Sequence, residues 1–222
     1  MPVDARAMKD LRGFLSVEQI AAMIESCDNL RDRVLIQLLF RTGMRVSELV
    51  KPGKKSNPLL GLRVSDILWS EHALIIRHAK RKNNPQRRVD IDTETLSMTR
   101  EYLLRRKDKS EYVIPIQRQM AYLIVRQAAE NVGIMEVGDP LVSKYRHPHP
   151  HHLRHSLAVH SVRVTGGNYA DLIRLQAQLG HASLSTTASY IQFSDEEQRN
   201  WYDNLWKGKE PAADAPAKEK KQ

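Results

Sequence analysis

Four short stretches of this sequence gather side chains that hold positive charge or donate hydrogen bonds, and the last of them ends in a tyrosine. Thr42-Gly43-Met44-Arg45-Val46-Ser47-Glu48-Leu49 carries Arg45 and, three residues on, Glu48. A basic run follows with Lys80, Arg81 and Lys82. His151-His152-Leu153-Arg154-His155 supplies His151 and Arg154, and the fourth stretch runs from Leu179-Gly180-His181 to Tyr190. Guanidinium groups stay protonated at any physiological pH and present a planar fork that fits phosphate oxygens. Imidazoles exchange protons near neutrality, and a phenol offers an oxygen nucleophile. Two arginines, a lysine, two histidines and a tyrosine in one place are what phosphoryl transfer without a metal would require.

Taken singly, each residue has an ordinary reading. Arg45 can be a surface residue paired with Glu48, Lys80 a solvated lysine, and Tyr190 a core residue beside Ile191 and Phe193. His151 sits among His147, His149 and His152, which reads as a histidine-rich loop, or as a metal site on an extended strand where alternate residues share a face. Pro148, Pro150 and the lack of partner carboxylates oppose the metal reading. The common placement of the stretches joins them: each falls at a glycine-ended helix, a helix start or a hairpin tip, and they occur in one order ahead of the tyrosine.

The elements that must position these side chains are mostly helical. Ser16 and Gln19 form a capping box, with Leu15 and Ile20 as a hydrophobic staple, opening a helix with Met23, Ile24 and Cys27 at helical spacing. A second helix is predicted over Arg31 to Thr42, apolar from Val34 to Phe40 except at Gln37, and ended by Gly43. Lys51 to Pro58 reads as a basic surface loop. His72 to His78 and Arg87 to Ile91 read as strands flanking a basic hairpin tip. Further helices are predicted over Thr93–Arg106 with a cap at Asp92 or Thr93, Gln117–Val132 with a Gly133 stop, His151–Val164, Tyr169–Leu179 with a Gly180 stop, Leu184–Gln192, and Asp195–Trp206 with a Ser194/Glu197 capping box. The expected fold class is mainly α with a small antiparallel β-sheet.

The chain has 222 residues, 41% of them hydrophobic, enough for one good core. Its 35 lysines and arginines against 26 acidic residues leave a formal charge of +9, which favours an anionic partner, nucleic acid foremost. A single cysteine offers no disulfide framework, and no apolar run reaches the length of a membrane span or signal sequence, so a cytoplasmic protein is expected. Ala, Pro, Lys and Glu dominate from Gly208, marking residues 208–222 as a disordered tail. Residues 1–14 are expected to be an N-terminal extension and 15–207 the single domain.

In sequence these stretches resemble the tyrosine recombinases, the phage-integrase and Xer-type site-specific DNA recombinases, from about Leu15 to Trp206. Thr-Gly-Met-Arg-Val-Ser-Glu-Leu resembles the family's first arginine box, His-His-Leu-Arg-His its His-x-x-Arg box, and Leu-Gly-His-Ala-Ser-Leu-Ser-Thr-Thr-Ala-Ser-Tyr its closing box. The resemblance implies a fold like the family's catalytic domain and a transfer of a DNA phosphodiester to Tyr190 through a 3'-phosphotyrosine, with no metal, ATP or other cofactor. It implies Arg45, Arg154 and His181 as donors to the phosphate, Glu48 as an accessory acid, His151 as proton acceptor and a hairpin lysine as proton donor to the leaving 5'-oxygen. Lys80, directly after the first strand, is the first choice and Lys82 the second, since Ala79-Lys80-Arg81-Lys82 departs from the family's usual glycine-lysine-glycine setting.

Lys54, Lys55, Arg81 and Arg87, with Lys51, Arg77, Lys82 and Arg88, form an expected phosphate track. Gln117, Arg118 and Gln119 open a helix that resembles the family's major-groove reader. The expected partners are double-stranded DNA in the nucleoid and further copies of the chain, in a tetramer joined through a last helix bearing Trp201, Tyr202, Leu205 and Trp206. Since most of the family carries a DNA-clamping domain ahead of this part, the chain is expected to be either a minimal enzyme or a catalytic domain. The competing readings are a type IB topoisomerase-like enzyme and a non-catalytic DNA-binding regulator on the same fold.

Overall fold

The computed structural model describes residues 14–54, 56–77, 86–138, 145–166, 168–181, 183 and 187. All of them belong to one compact unit that ends at Tyr190. The expected helices at Leu184–Gln192 and Asp195–Trp206, the hairpin tip and the tail lie outside the described residues, apart from Thr187 itself.

Helix α1 (Val17–Glu25) opens on the expected capping box: Ser16 Oγ accepts the Gln19 N–H at 3.1 Å and Gln19 Oε1 accepts the Ser16 N–H at 2.8 Å. Helix α2 (Leu30–Thr42) is buried without a break from Val34 to Phe40 and packs against α1, α4 (Thr93–Arg105), α5 (Arg118–Asn131) and α6 (Pro150–Thr165). A helix apolar on nearly every face belongs at the centre of a core. Its one polar interior residue, Gln37, donates to Thr95 Oγ1 on α4 at 3.0 Å, so the amide is buried with a partner. Asp92 is the N-cap of α4, accepting the Thr95 N–H at 2.9 Å.

Three antiparallel strands lie in the order β1 (Ile67–Leu68), β2 (Ala73–Arg77), β3 (Gln86–Asp90). The register runs from Ala73 opposite Asp90 to Arg77 opposite Gln86, which leaves residues 78–85 to join the strands. The hairpin matches the expected one, and β1 is an addition: two residues carry no alternation to read. The segment between α4 and α5, for which periodicity predicts no element, is a second addition. Val113 and Ile114 are fully buried, Val50 bridges to Ile114, and Arg63 bridges to Tyr112. These bridges close both ends of the basic loop at 51–58. A short hairpin of β4 (Val137–Gly138) and β5 (Tyr145–Arg146) precedes α6, and α7 (Tyr169–Leu179) follows it. Among the described residues, no helix is long and apolar enough to cross a membrane.

Candidate active site

Gly43 ends α2 in the left-handed region at φ 62°. A β-carbon there would lie 2.5 Å from Leu179 Cδ2 and 2.8 Å from Leu157 Cδ2, so glycine answers both a backbone and a packing demand. The sharp reversal delivers Arg45 as the extended N-cap of the short helix α3 (Val46–Leu49), with its side chain 48% exposed.

Glu48, one turn on, is only 2% exposed and ties this corner together. Its Oε2 accepts the Arg45 N–H at 2.9 Å and its Oε1 accepts Arg45 Nη1 at 3.2 Å. Each oxygen also accepts from Arg87 on β3, Oε1 from Nη1 at 3.2 Å and Oε2 from Nη2 at 2.8 Å. Burial alone would raise the Glu48 pKa, but the hydrogen bonds and charge of Arg87, with those of Arg45, hold it below the ordinary carboxylate value. Glu48 is therefore an anion clasped between two cations.

Helix α6 starts with His149 as N-cap and Pro150 in the first turn, where the missing N–H costs nothing. His149 Nδ1 accepts the His151 N–H at 3.3 Å, and His152 Nδ1 accepts the His149 N–H at 3.1 Å. Two members of the histidine run thus use a ring nitrogen to cap the helix, and no group of three or more potential metal ligands occurs among the described residues. His151 is exposed in the first turn, and Arg154, one turn further, is buried at 3% exposure. Arg154 donates through Nη1 to the Gly43 carbonyl and through Nη2 to the Leu179 carbonyl at 2.8 Å. Those carbonyls sit at the negative ends of α2 and α7, where a cation is favoured. Arg45 and His181 each follow one of them by two residues, so Arg154 sets the spacing of both.

Gly180 ends α7 at φ 68° and turns the chain into His181, whose N–H donates to the Gln176 carbonyl at 3.1 Å. The ring is 7% exposed, with Nδ1 at 2.9 Å from Thr187 Oγ1. Burial, then the positive charges of Arg154, Arg45, His151 and Arg87, push its pKa down to about 4. One imidazole thus senses groups from α6, the Arg45 turn and β3. The structure brings Arg45, Glu48, His151, Arg154 and His181 into one neighbourhood, and it adds Arg87, Thr187 and His149, which the sequence reading gave no such place.

The expected DNA-contact residues divide. Lys54 lies exposed on the loop after α3, and Gln117, Arg118 and Gln119 are exposed at the start of α5, where Arg118 covers the Tyr122 ring and donates to its hydroxyl at 3.1 Å. Arg87 does not line an open phosphate track: its side chain is 8% exposed and its guanidinium faces Glu48 and the Gln178 carbonyl, which Nε reaches at 3.2 Å. The alternation of β3 turns it inward. Arg77 is likewise forked onto Asp66, and Arg88 pairs with Glu71 and Asp90. Lys55, Lys80, Arg81, Lys82 and Tyr190 lie outside the described residues, as do Trp201, Tyr202, Leu205 and Trp206.

The profile of the phage integrase family matches residues 14–197. Tyrosine recombinase XerD of Halalkalibacterium halodurans is 31% identical, over 89% of this chain and 62% of its own length. The chain spans a little under two thirds of that relative. Two solved structures share the fold: XerA recombinase, with TM-score 0.63 and 24% identity over 93% of this chain and 66% of that one, and XerH site-specific recombinase bound to difH substrate in a pre-cleavage complex, with TM-score 0.63 and 22% identity over 88% and 55%.

Proposed function

The chain belongs to the phage integrase family, and from that premise we propose that it is a site-specific DNA recombinase that cuts and rejoins strands through a phosphotyrosine on Tyr190. In the forward step the Tyr190 oxygen attacks the scissile phosphorus and the P–O5' bond breaks, leaving a 3'-phosphotyrosine and a free 5'-hydroxyl. The phenolic proton passes to His151, and Lys80, or Lys82 in its place, gives a proton to the departing O5'. Bond energy is conserved in the protein ester, so rejoining is the same step reversed, with neither ATP nor metal taking part.

The observation that carries this reading is the convergence of Arg45, Arg154 and His181 through shared backbone anchors. A pentavalent phosphorus bears extra charge on its non-bridging oxygens, and donors fixed beforehand stabilise it without reorganising. Arg154 is fixed by two helix ends and Arg45 by Glu48. A pKa near 4 keeps His181 neutral at working pH. Its Nδ1 pairs with the Thr187 hydroxyl at 2.9 Å, which fixes the ring orientation, and a neutral imidazole can offer an N–H to a phosphate oxygen.

The partner is double-stranded DNA in the nucleoid, met by Lys54, the hairpin tip and the first turn of α5, with assembly into a tetramer through the segment carrying Trp201 and Trp206. The test is a suicide DNA substrate, nicked so that the short fragment bearing the released 5'-hydroxyl diffuses away, incubated in EDTA. A denaturant-resistant protein–DNA adduct is expected, and Tyr190→Phe should abolish it. An adduct retained in that variant moves the nucleophile elsewhere, and one lost on chelation alone points to metal-dependent chemistry.

A further inference from the structure

We propose that Arg87 is a positioning residue of this site: from β3 it grips Glu48 with a forked pair of hydrogen bonds, through Glu48 it sets Arg45, and its Nε holds the end of α7 that leads to His181. The inference rests on the recombinase reading above.

Two arginines share one carboxylate here, in a two-by-two pattern. Each Glu48 oxygen takes one bond from the Arg45 residue and one from the Arg87 guanidinium, at 2.8 to 3.2 Å. The two guanidinium groups are otherwise unalike. Arg45 is half exposed and Arg87 nearly sealed, so one can reach a ligand while the other is part of the scaffold. A buried carboxylate without a cation would tend to take up a proton and lose two of its acceptor sites. Arg87 keeps it anionic, and an anionic Glu48 holds both the backbone N–H and the guanidinium of Arg45.

The same side chain reaches a third segment. Arg87 Nε donates to the Gln178 carbonyl, and the Gln178 side-chain amide donates back to the Asp90 carbonyl at 3.1 Å. Strand β3 and the last turn of α7 are thus stitched in both directions, three residues before His181. Arg87 also stands at the second pair from the end of the hairpin, opposite Ile76, so the strand that carries it leads directly from residues 78–85. Lysine could keep the charge but not the fork: one ammonium cannot meet two carboxylate oxygens and a carbonyl in that plane.

The experiment compares wild type, Arg87→Lys, Glu48→Gln and the double variant by three readouts. These are single-turnover adduct formation on saturating nicked DNA, the salt slope of DNA affinity, and the NMR signal of the Arg45 Nε–H group in DNA-free protein. Arg87→Met leaves the buried Glu48 with the half-exposed Arg45 in place of a sealed cation and is the variant most prone to misfold, which is why lysine is chosen. Arg87→Lys should slow adduct formation by roughly tenfold to a hundredfold, the scale set by misplaced catalytic groups. The salt slope should stay as in wild type, the Arg45 signal should broaden, and the double variant should be no slower than the slower single one. A wild-type rate with an unchanged Arg45 signal overturns the proposal. So does a salt slope reduced by about one with a normal rate at saturation, which would make Arg87 a phosphate contact. If wild type forms no adduct on any substrate, the recombinase reading fails, while the Arg45 signal still decides whether Arg87 sets Arg45.

Discussion

Arg45 and Arg154 carry the same functional group and should fail differently when removed. Arg45 is half exposed, and Glu48 keeps Arg87 when Arg45 is gone, so Arg45→Ala should cost less than about 1 kcal/mol of stability. Its loss should appear as roughly a hundredfold to a thousandfold slower adduct formation, the usual effect of deleting one preorganised donor. Arg154→Ala should lose that and the fold's anchor too, because the Gly43 and Leu179 carbonyls are left buried without their donor, at about 2 to 5 kcal/mol. Urea unfolding beside single-turnover cleavage separates the two cases. His181 gives a pH dependence of stability with a defined sign. Its pKa in the fold is about 4 against an ordinary 6.5, so over that interval the unfolded chain takes up a proton that the folded one does not. Stability should therefore fall as pH drops from about 6.5 towards 4, and His181→Asn should remove that part of the slope. Glu48, held below the ordinary carboxylate value, contributes stability that is present above the unfolded pKa and lost only at lower pH, as the folded pKa is crossed. Urea midpoints at pH 7 and pH 5 thus report on the histidine.

Elements were legible in the sequence where a cap or a stop advertised them. Ser16 with Gln19, Asp92, Gly43 and Gly180 stand where local chemistry put them, because each satisfies a need of its own helix end. What the sequence concealed depends on neighbours distant along the chain. Tyr112 and Ile114 are held by bridges to Arg63 and Val50, β1 has two residues, and the inward turn of Arg87 follows from a strand register rather than from its own type. The candidate site divides the same way: boxes built on helix ends could be read, and the arginine that ties them together could not, since an arginine after a basic hairpin tip looks like any phosphate contact. Gly43 tests how much rests on one such helix end. Gly43→Ala forces a left-handed residue to carry a β-carbon against Leu179 and Leu157, for a combined cost of roughly 2 to 4 kcal/mol. Thermal or urea unfolding measures it. Cleavage should drop further than stability alone explains, because the displaced turn carries both the Arg154 acceptor and Arg45.

Across the whole molecule, the count of 35 lysines and arginines overstates what a nucleic acid would meet. On the sheet, Arg77 is committed to Asp66, Arg87 to Glu48, and Arg88 to Glu71 and Asp90, while Arg63 beside it pairs with Glu111. A cation already neutralised by a fixed carboxylate displaces few counterions from DNA, so the sheet should contribute less to the salt dependence of binding than its arginine content suggests. Among the described residues, exposed Lys54 and Arg118 form no ion pair with a carboxylate, and Arg118 rests on an aromatic ring at the start of α5. Each phosphate contact removed lowers the slope of log affinity against log salt by about 0.9 on duplex DNA. Lys54→Gln and Arg118→Gln should therefore each flatten the slope by nearly one, whereas Arg77→Gln should leave it unchanged and instead reduce stability by leaving the buried Asp66 without the Arg77 cation. Fluorescence anisotropy with labelled duplex at several salt concentrations reads this directly. A flattened slope in Arg77→Gln would mean that the Asp66 pair opens on DNA and that the sheet face turns towards the duplex.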